Sequence, residues 1–250
     1  MAPPLIEICV ESLSRAVAAE RGGADRIELC ADLASGGVTP NAELMREVRR
    51  RVRIPIHVLI RPSSKDDFCS DSEVETMQRE ISLAKELGMD GVVLGVLEKT
   101  LQVDRKRTST LVKLAEPLPV TFHRAFDLCS DLPSALEAVI KTGAQRILTS
   151  GGKARISDGL AAAAALVSAA QDRIAIMPGG GVRAGNVQRI LQTTGAREIH
   201  TSLVVSESKA RQGSRSPGKR SERDAAEFEA RVRKFVQVVQ AGSPSAVCPG

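Results

Sequence analysis

Apolar positions along the chain fall into short runs rich in β-branched residues, separated by longer stretches in which they recur every three or four positions. The short runs predict eight strands, at 5–10, 26–30, 54–60, 90–96, 119–124, 146–150, 173–177 and 198–202. The intervening stretches can hold helices, most plainly at 12–21, 42–51, 71–87, 132–142 and 186–194. Four helix-to-strand junctions repeat one signal: Gly22-Gly23-Ala24-Asp25, Gly88-Met89-Asp90, Gly143-Ala144-Gln145 and Gly195-Ala196-Arg197. Each places glycine where a helix must stop. Eight strands alternating with helices in about 200 residues predict an α/β fold, a TIM (β/α)8 barrel in a single domain, with a doubly wound open sheet as the other arrangement. The barrel is expected over 1–205, a mobile basic Ser/Arg-rich segment over 206–224, and a helix (225–240) with a flexible tail at 225–250.

Composition narrows what such a barrel can do. Hydrophobic residues make up 42% and charged residues 26% of 250, ordinary for a globular α/β chain. Aromatics are 2%, five Phe with no Trp or Tyr, which leaves almost no faces on which bases or sugars could stack. The net charge of +5 is concentrated: residues 206–224 set Lys209, Arg211, Arg215, Lys219, Arg220 and Arg223 against Glu207, Glu222 and Asp224. The rest is nearly balanced, so no nucleic-acid partner is expected. The longest apolar run, 160–170, is mostly alanine, too short to cross a bilayer, and reads as a buried helix. Met1-Ala2-Pro3-Pro4 begins neither a basic nor an apolar leader segment, so the expected location is the cytoplasm, with no membrane partner. Five cysteines, Cys9, Cys30, Cys69, Cys129 and Cys248, form no CxxC pair, and their odd number argues for reduced thiols. Cys248, in a Gly/Pro/Ser-rich end, is expected to be incidental.

In a barrel, function gathers at the C-terminal ends of the strands. The first strand segment reads Glu7-Ile8-Cys9 and the second Glu28-Leu29-Cys30. Alternation puts Glu and Cys on one face of each strand, so two soft sulfurs near the top of adjacent strands suit a two-coordinate soft ion such as Cu(I). The plainer reading is that cysteine is small and packs well in a core, and for a pair of cysteines alone it is the one to prefer. On the same inward face the lumen should also hold Glu7, Glu28, His57, His123, Glu198 and His200, either an acid/base set or a satisfied polar plug. Candidate catalytic groups are His123 as general acid or base, Arg124 as an anion clamp and Asp127 as orienter. The seventh strand runs into Pro178-Gly179-Gly180-Gly181-Val182-Arg183. There backbone N–H groups of Gly179, Gly180 and Gly181 can converge on an anion, helped by Arg183 and, from another loop, Arg61. Thr149-Ser150-Gly151-Gly152-Lys153 adds a second glycine turn nearby. A scaffold barrel that binds proteins has only the basic segment in its favour.

These segments together resemble the CutC copper homeostasis family. The matching pieces are Glu7-Ile8-Cys9, Gly23-Ala24-Asp25-Arg26-Ile27-Glu28-Leu29-Cys30, Gly36-Gly37-Val38-Thr39-Pro40, Ile60-Arg61-Pro62, Thr121-Phe122-His123-Arg124-Ala125-Phe126-Asp127, Leu148-Thr149-Ser150-Gly151, Pro178-Gly179-Gly180-Gly181-Val182 and His200-Thr201-Ser202. The run from Thr121 to Asp127 is the most specific. The resemblance implies a TIM barrel, copper handling through Cu(I) bound by Cys9 and Cys30, self-association into a homo-oligomer, and a cytoplasmic or nuclear location. It assigns no reaction. If the chain is instead an enzyme, a small anionic or phosphorylated substrate at the strand ends is expected. The chain departs from the family in two places: Ser63-Ser64-Lys65-Asp66-Asp67-Phe68 replaces an Arg-Gly-Gly-Asp-Phe loop, and the basic segment replaces the usual closing stretch. Cys69 and Cys129, at loop and strand-end positions, are reserve thiols.

Overall fold

The computed structural model describes residues 3–64, 67–203 and 217–242, with side chains of the last stretch from residue 223. Eight strands form one parallel sheet: β1 (Leu5–Val10), β2 (Arg26–Leu29), β3 (Ile56–Leu59), β4 (Gly91–Leu94), β5 (Val120–Phe122), β6 (Arg146–Thr149), β7 (Ala175–Pro178) and β8 (Glu198–Thr201). The order is β7-β6-β5-β4-β3-β2-β1-β8, and β7 also packs beside β8, so the sheet curls into a nearly closed barrel. The helices between them are α1 (Leu13–Arg21), α2 (Ala42–Arg51), α3 (Asp71–Glu86), α4 (Arg105–Ala115), α5 (Leu132–Ile140), α6 (Leu160–Ala170) and α7 (Val187–Thr194), with α8 (Pro217–Ala241) after the last strand. This is the TIM barrel that the strand spacing predicts, and the open doubly wound sheet is ruled out.

Local chemistry sets the helix ends. Ser12 and Asn41 accept from the third residue of their helices, and Ser70 with Glu73 forms a complete capping box on α3. At the other end Gly23, Gly88, Gly143 and Gly195 all take positive φ, the conformation the repeated junction needs and other residues resist. β1 matches its predicted run, and the other seven strands are shorter than theirs by one to three residues, β7 also ending one residue later, at Pro178. Two expectations need revision. α6 is not buried all round: Leu160, Ala163, Leu166 and Ala170 face the core while Ala161, Ala165 and Ala169 are exposed, one stripe on an otherwise alanine surface. α8 starts at Pro217, eight residues before the expected start at 225 and within the segment expected to be mobile. Its apolar positions Phe228, Val232, Phe235, Val236 and Val239 are buried, largely against α1, where Phe228 lies under the guanidinium groups of Arg15 and Arg231. α4 has too basic a surface to stand out by periodicity, yet Asp104 caps it and Leu111, Val112 and Ala115 anchor it. Residues 206–216, expected to be mobile, and Cys248 lie outside the described residues.

The ladder registers fix what shares the lumen. Glu7 stands opposite Arg26 and His200, Cys9 opposite Glu28, Glu28 opposite His57, and Thr121 opposite Arg146. Their outward neighbours Ile6, Ile8, Ile27 and Val58 pack under the helices, each worth roughly 1.5–3 kcal/mol on full burial. A one-residue slip would turn these apolar side chains into the lumen and the charges into the core, so the alternation fixes the register.

Candidate metal centre and its cavity

Two layers of polar side chains fill the lumen. In the lower one, Arg26 donates from Nε to Glu7 Oε2 at 2.5 Å and from Nη2 to Glu198 Oε2 at 2.8 Å. Arg146 grips both oxygens of Glu198 and reaches Thr121 Oγ1 at 3.3 Å. His200 Nδ1 lies 2.7 Å from Glu7 Oε1. Burial alone would raise the Glu7 carboxyl, but Arg26 and the His200 hydrogen bond hold it well below the usual carboxylate range. Burial opposes the charge on His200, yet its contacts with Glu7 and Glu28 prevail and raise it above its ordinary 6.5. His57 is different: burial pushes it down to about 4, so it is neutral, and its Nδ1 has no partner. Its ring lies over Gly91, where a Cβ would stand 2.5 Å from the imidazole. Only glycine leaves room there.

The upper layer is incompletely paired. Cys9 Sγ is 3.5 Å from Cys30 Sγ and 3.7 Å from Glu28 Oε1, and Cys30 Sγ is 3.6 Å from the Val10 carbonyl. The contact with Cys30, then burial and the Glu28 charge, raise the Cys9 thiol well above its ordinary 9.0, so that sulfur is held as a thiol. Burial pushes Glu28 up to about 7 despite His200, and its Oε2 has no hydrogen bond. His123 Nδ1 accepts from the Ala125 N–H at 3.1 Å, which leaves the ring proton on Nε2. That Nε2 is also without a hydrogen bond, its nearest acceptor being Asp67 Oδ1 at 3.8 Å. Burial keeps His123 below its ordinary value.

These groups open upward into a cavity of about 560 Å³ at the C-terminal ends of the strands. Cys9, Glu28 and His200 line its depths, and Arg61, Arg124 and Arg183 its rim. The expected lumen set of Glu7, Glu28, His57, His123, Glu198 and His200 therefore does share the barrel interior, as do Cys9 and Cys30. The rest of the candidates divide. Asp127 accepts from Thr149 Oγ1, Ser150 N, Ser150 Oγ, Gly152 N and Arg124 Nε, so its lone pairs are consumed in tying β6 to the loop after β5. It holds Arg124 in place and has no capacity left for a ligand. Arg61 is held by Asp67 at 3.1 Å and by the Gly37 carbonyl at 3.1 Å. The Gly179 N–H belongs to the barrel, bonded to the Thr149 carbonyl at 2.8 Å. Gly180, Gly181 and Arg183 remain at the cavity. Cys69 sits beside Met77, 3.8 Å between sulfurs, and Cys129 under α5, both pushed up to about 11 by burial and neither lining this cavity.

Sequence reasoning missed Arg26 and Arg146. Both look like surface charges at strand starts, but each shares a parity with lumen residues, Arg26 with Glu28 and Arg146 with Leu148. They matter for metal choice. Glu7, Glu28 and His200 bring ligand atoms within 4.8 Å of one another, but Glu7 is already neutralised by Arg26, so the triad is a charge network before it is a site for a hard cation. The soft pair carries no such competitor.

Fold and site together define a (β/α)8-barrel protein with a buried pair of thiols beneath an open, cation-rimmed cavity. The chain belongs to the CutC family, whose model matches residues 4–205. The copper homeostasis protein cutC homolog of Homo sapiens is 46% identical over 198 residues, covering 79% of this chain and 72% of the relative. A CutC family protein of Xanthomonas campestris pv. campestris (strain 8004) is 46% identical over 197 residues, covering 79% and 82%. A crystal structure of CutC from Streptococcus agalactiae superposes with a TM-score of 0.76 at 33% identity, over 81% of this chain and all of that one. Among the described residues no helix is long and apolar enough to cross a membrane.

Proposed function

We propose that this protein handles copper by taking up Cu(I) between the thiolates of Cys9 and Cys30. The observation that carries this reading is the pair of sulfurs 3.5 Å apart on adjacent strands, one of them lining the cavity. The donor set fits: two soft, polarisable ligands with no lysine or arginine bonded to them match a soft monovalent ion, whereas a hard cation would require oxygen donors free of Arg26. The ion is cargo, so the protein's part is to hold two thiols ready and to accept the loss of their protons. Cys9 and Cys30 would hold the ion between them, and sulfurs 3.5 Å apart would have to separate to admit it. Cys9 lies on the cavity side, while Cys30 is fully enclosed and tied to the Val10 carbonyl. The family's curated relatives, named for copper homeostasis, support the choice of metal.

Titration of the reduced full-length protein with Cu(I) against a competing chelator tests the assignment. Binding should be lost on replacing both thiols (Cys9→Ala with Cys30→Ala) and kept in Cys69→Ala with Cys129→Ala. Retention in the first variant would overturn it.

A further inference from the structure

The rim of the cavity has donors that copper does not use. Arg124 is clamped in place: Nε donates to Asp127 at 2.9 Å, and Nη2 to Ser150 Oγ at 2.8 Å and the Lys153 carbonyl at 3.1 Å. Its Nη1 makes no hydrogen bond among the described residues and lies against Gly180, 3.2 Å from where a Cβ would be. Gly180 and Gly181 both take positive φ, +87° and +81°, and their carbonyls turn away to Ile156 N–H and Asn186 Nδ2. Their own N–H groups have no partner among the described residues. Beside them Arg183 and Arg155 stand close enough that Arg155, after burial, holds the Arg183 guanidinium below its ordinary value. The Arg155 stem lies 3.5 Å from a Cβ position on Gly181, and Lys153 lines the same rim. Of the acids lining this cavity, Asp67 is paired with Arg61 and Asp127 with Arg124, and Glu28 lies in the depths.

Fixed donors with no acceptor among the described residues, next to guanidinium groups that repel one another, describe a site built for negative charge. Two backbone N–H groups among several cationic side chains suit a dianionic phosphate better than a singly charged carboxylate. The cavity below the rim, about 560 Å³, is of a size to hold the body of a small molecule. We infer that the cavity binds a small phosphomonoester, its phosphate seated on Arg124 Nη1, the Gly180 and Gly181 N–H groups and Arg183, and its hydroxylated body directed down toward Glu28 and His123. These two supply an unpartnered carboxyl oxygen and an unpartnered imidazole N–H to that body. The inference is independent of the copper assignment.

Calorimetric titration of the metal-free protein with inorganic phosphate, ribose 5-phosphate, ribose and acetate tests it. Inorganic phosphate should bind, ribose 5-phosphate more tightly by roughly tenfold or more, and neither ribose nor acetate at comparable concentration. Replacing the rim cations (Arg183→Gln with Lys153→Gln) should weaken ribose 5-phosphate binding roughly tenfold or more, the worth of one charge-assisted hydrogen bond, with the native barrel retained by circular dichroism. Cys9→Ala with Cys30→Ala should leave phosphate binding intact. No heat with either phosphate up to roughly 20 mM, or equal binding by the rim variant, would overturn the inference. Acetate binding as well as phosphate would overturn the ligand class.

Discussion

The two lumen layers both bury carboxyl and imidazole groups, yet they do opposite things with charge. Below, Glu7, Arg26, Glu198, Arg146 and His200 satisfy one another, and Glu7 is fully buried and stays ionised because a guanidinium faces it. Above, Glu28 has only the His200 imidazole 3.8 Å from its Oε2, that oxygen accepts no hydrogen bond, and burial carries its carboxyl to about 7. Two carboxylates on adjacent strands thus hold different protonation states through partner geometry alone. The lesson is that buried polarity by itself does not mark function. A completed network closes the barrel, and an incomplete one beside a cavity has capacity left for a ligand.

The largest effect should come from breaking the completed layer. Arg26→Met leaves Glu7 and part of Glu198 buried without their cation, and should cost about 3–5 kcal/mol in urea unfolding at pH 7. A loss under about 1 kcal/mol would show that the lower layer is not the anchor it is taken to be.

Glu28→Gln should act the other way. Because the folded carboxyl titrates near 7 rather than 4.5, its favourable protonated form is fully present below pH 4.5 and is lost as pH rises through 7. Above that pH the native protein bears a penalty of up to roughly 3 kcal/mol, at about 1.4 kcal/mol per pH unit between the two values. The glutamine variant should therefore be more stable than the parent at pH 8 and equal to it at pH 4. Denaturant curves at both pH values decide this, and a destabilised variant at pH 8 would mean that Glu28 is as well partnered as Glu7.

The smallest of these effects belongs to the walls. Gly91→Ala drives a methyl into the His57 ring and should cost roughly 1–3 kcal/mol with copper binding unchanged, because the collision lies in the lower layer. A matching loss of Cu(I) affinity would tie the layers together.

Strand positions and lumen parity were legible because a parallel barrel alternates strictly: Glu7-x-Cys9 and Glu28-x-Cys30 declare their own face, and the glycine junctions mark each return to the sheet. What parity cannot show is pairing between strands distant in sequence. Arg26 meets Glu198 only because β8 closes against β1, and Arg146 meets Glu198 only across the lumen. Asp127 looked like an orienter in a site, and its five donors make it part of the scaffold; nothing in the run from Thr121 to Asp127 announces Thr149, Ser150 and Gly152 as its partners. Gly179, Gly180 and Gly181 read as one anion loop, but only the last two are free to serve, since the ladder claims the first. The helical start at Pro217 escaped notice because propensity over a Ser/Gly/Lys/Arg stretch is weak there, and apolar periodicity begins only at Phe228.

The central claim is that the incomplete upper layer holds a soft metal through two sulfurs, and the most direct measurement is the X-ray absorption spectrum of the protein loaded with one equivalent of Cu(I). A first shell of two sulfur scatterers, lost in Cys9→Ala with Cys30→Ala, is the predicted result. A first shell of nitrogen and oxygen, or a sulfur shell that survives the double substitution, would contradict it.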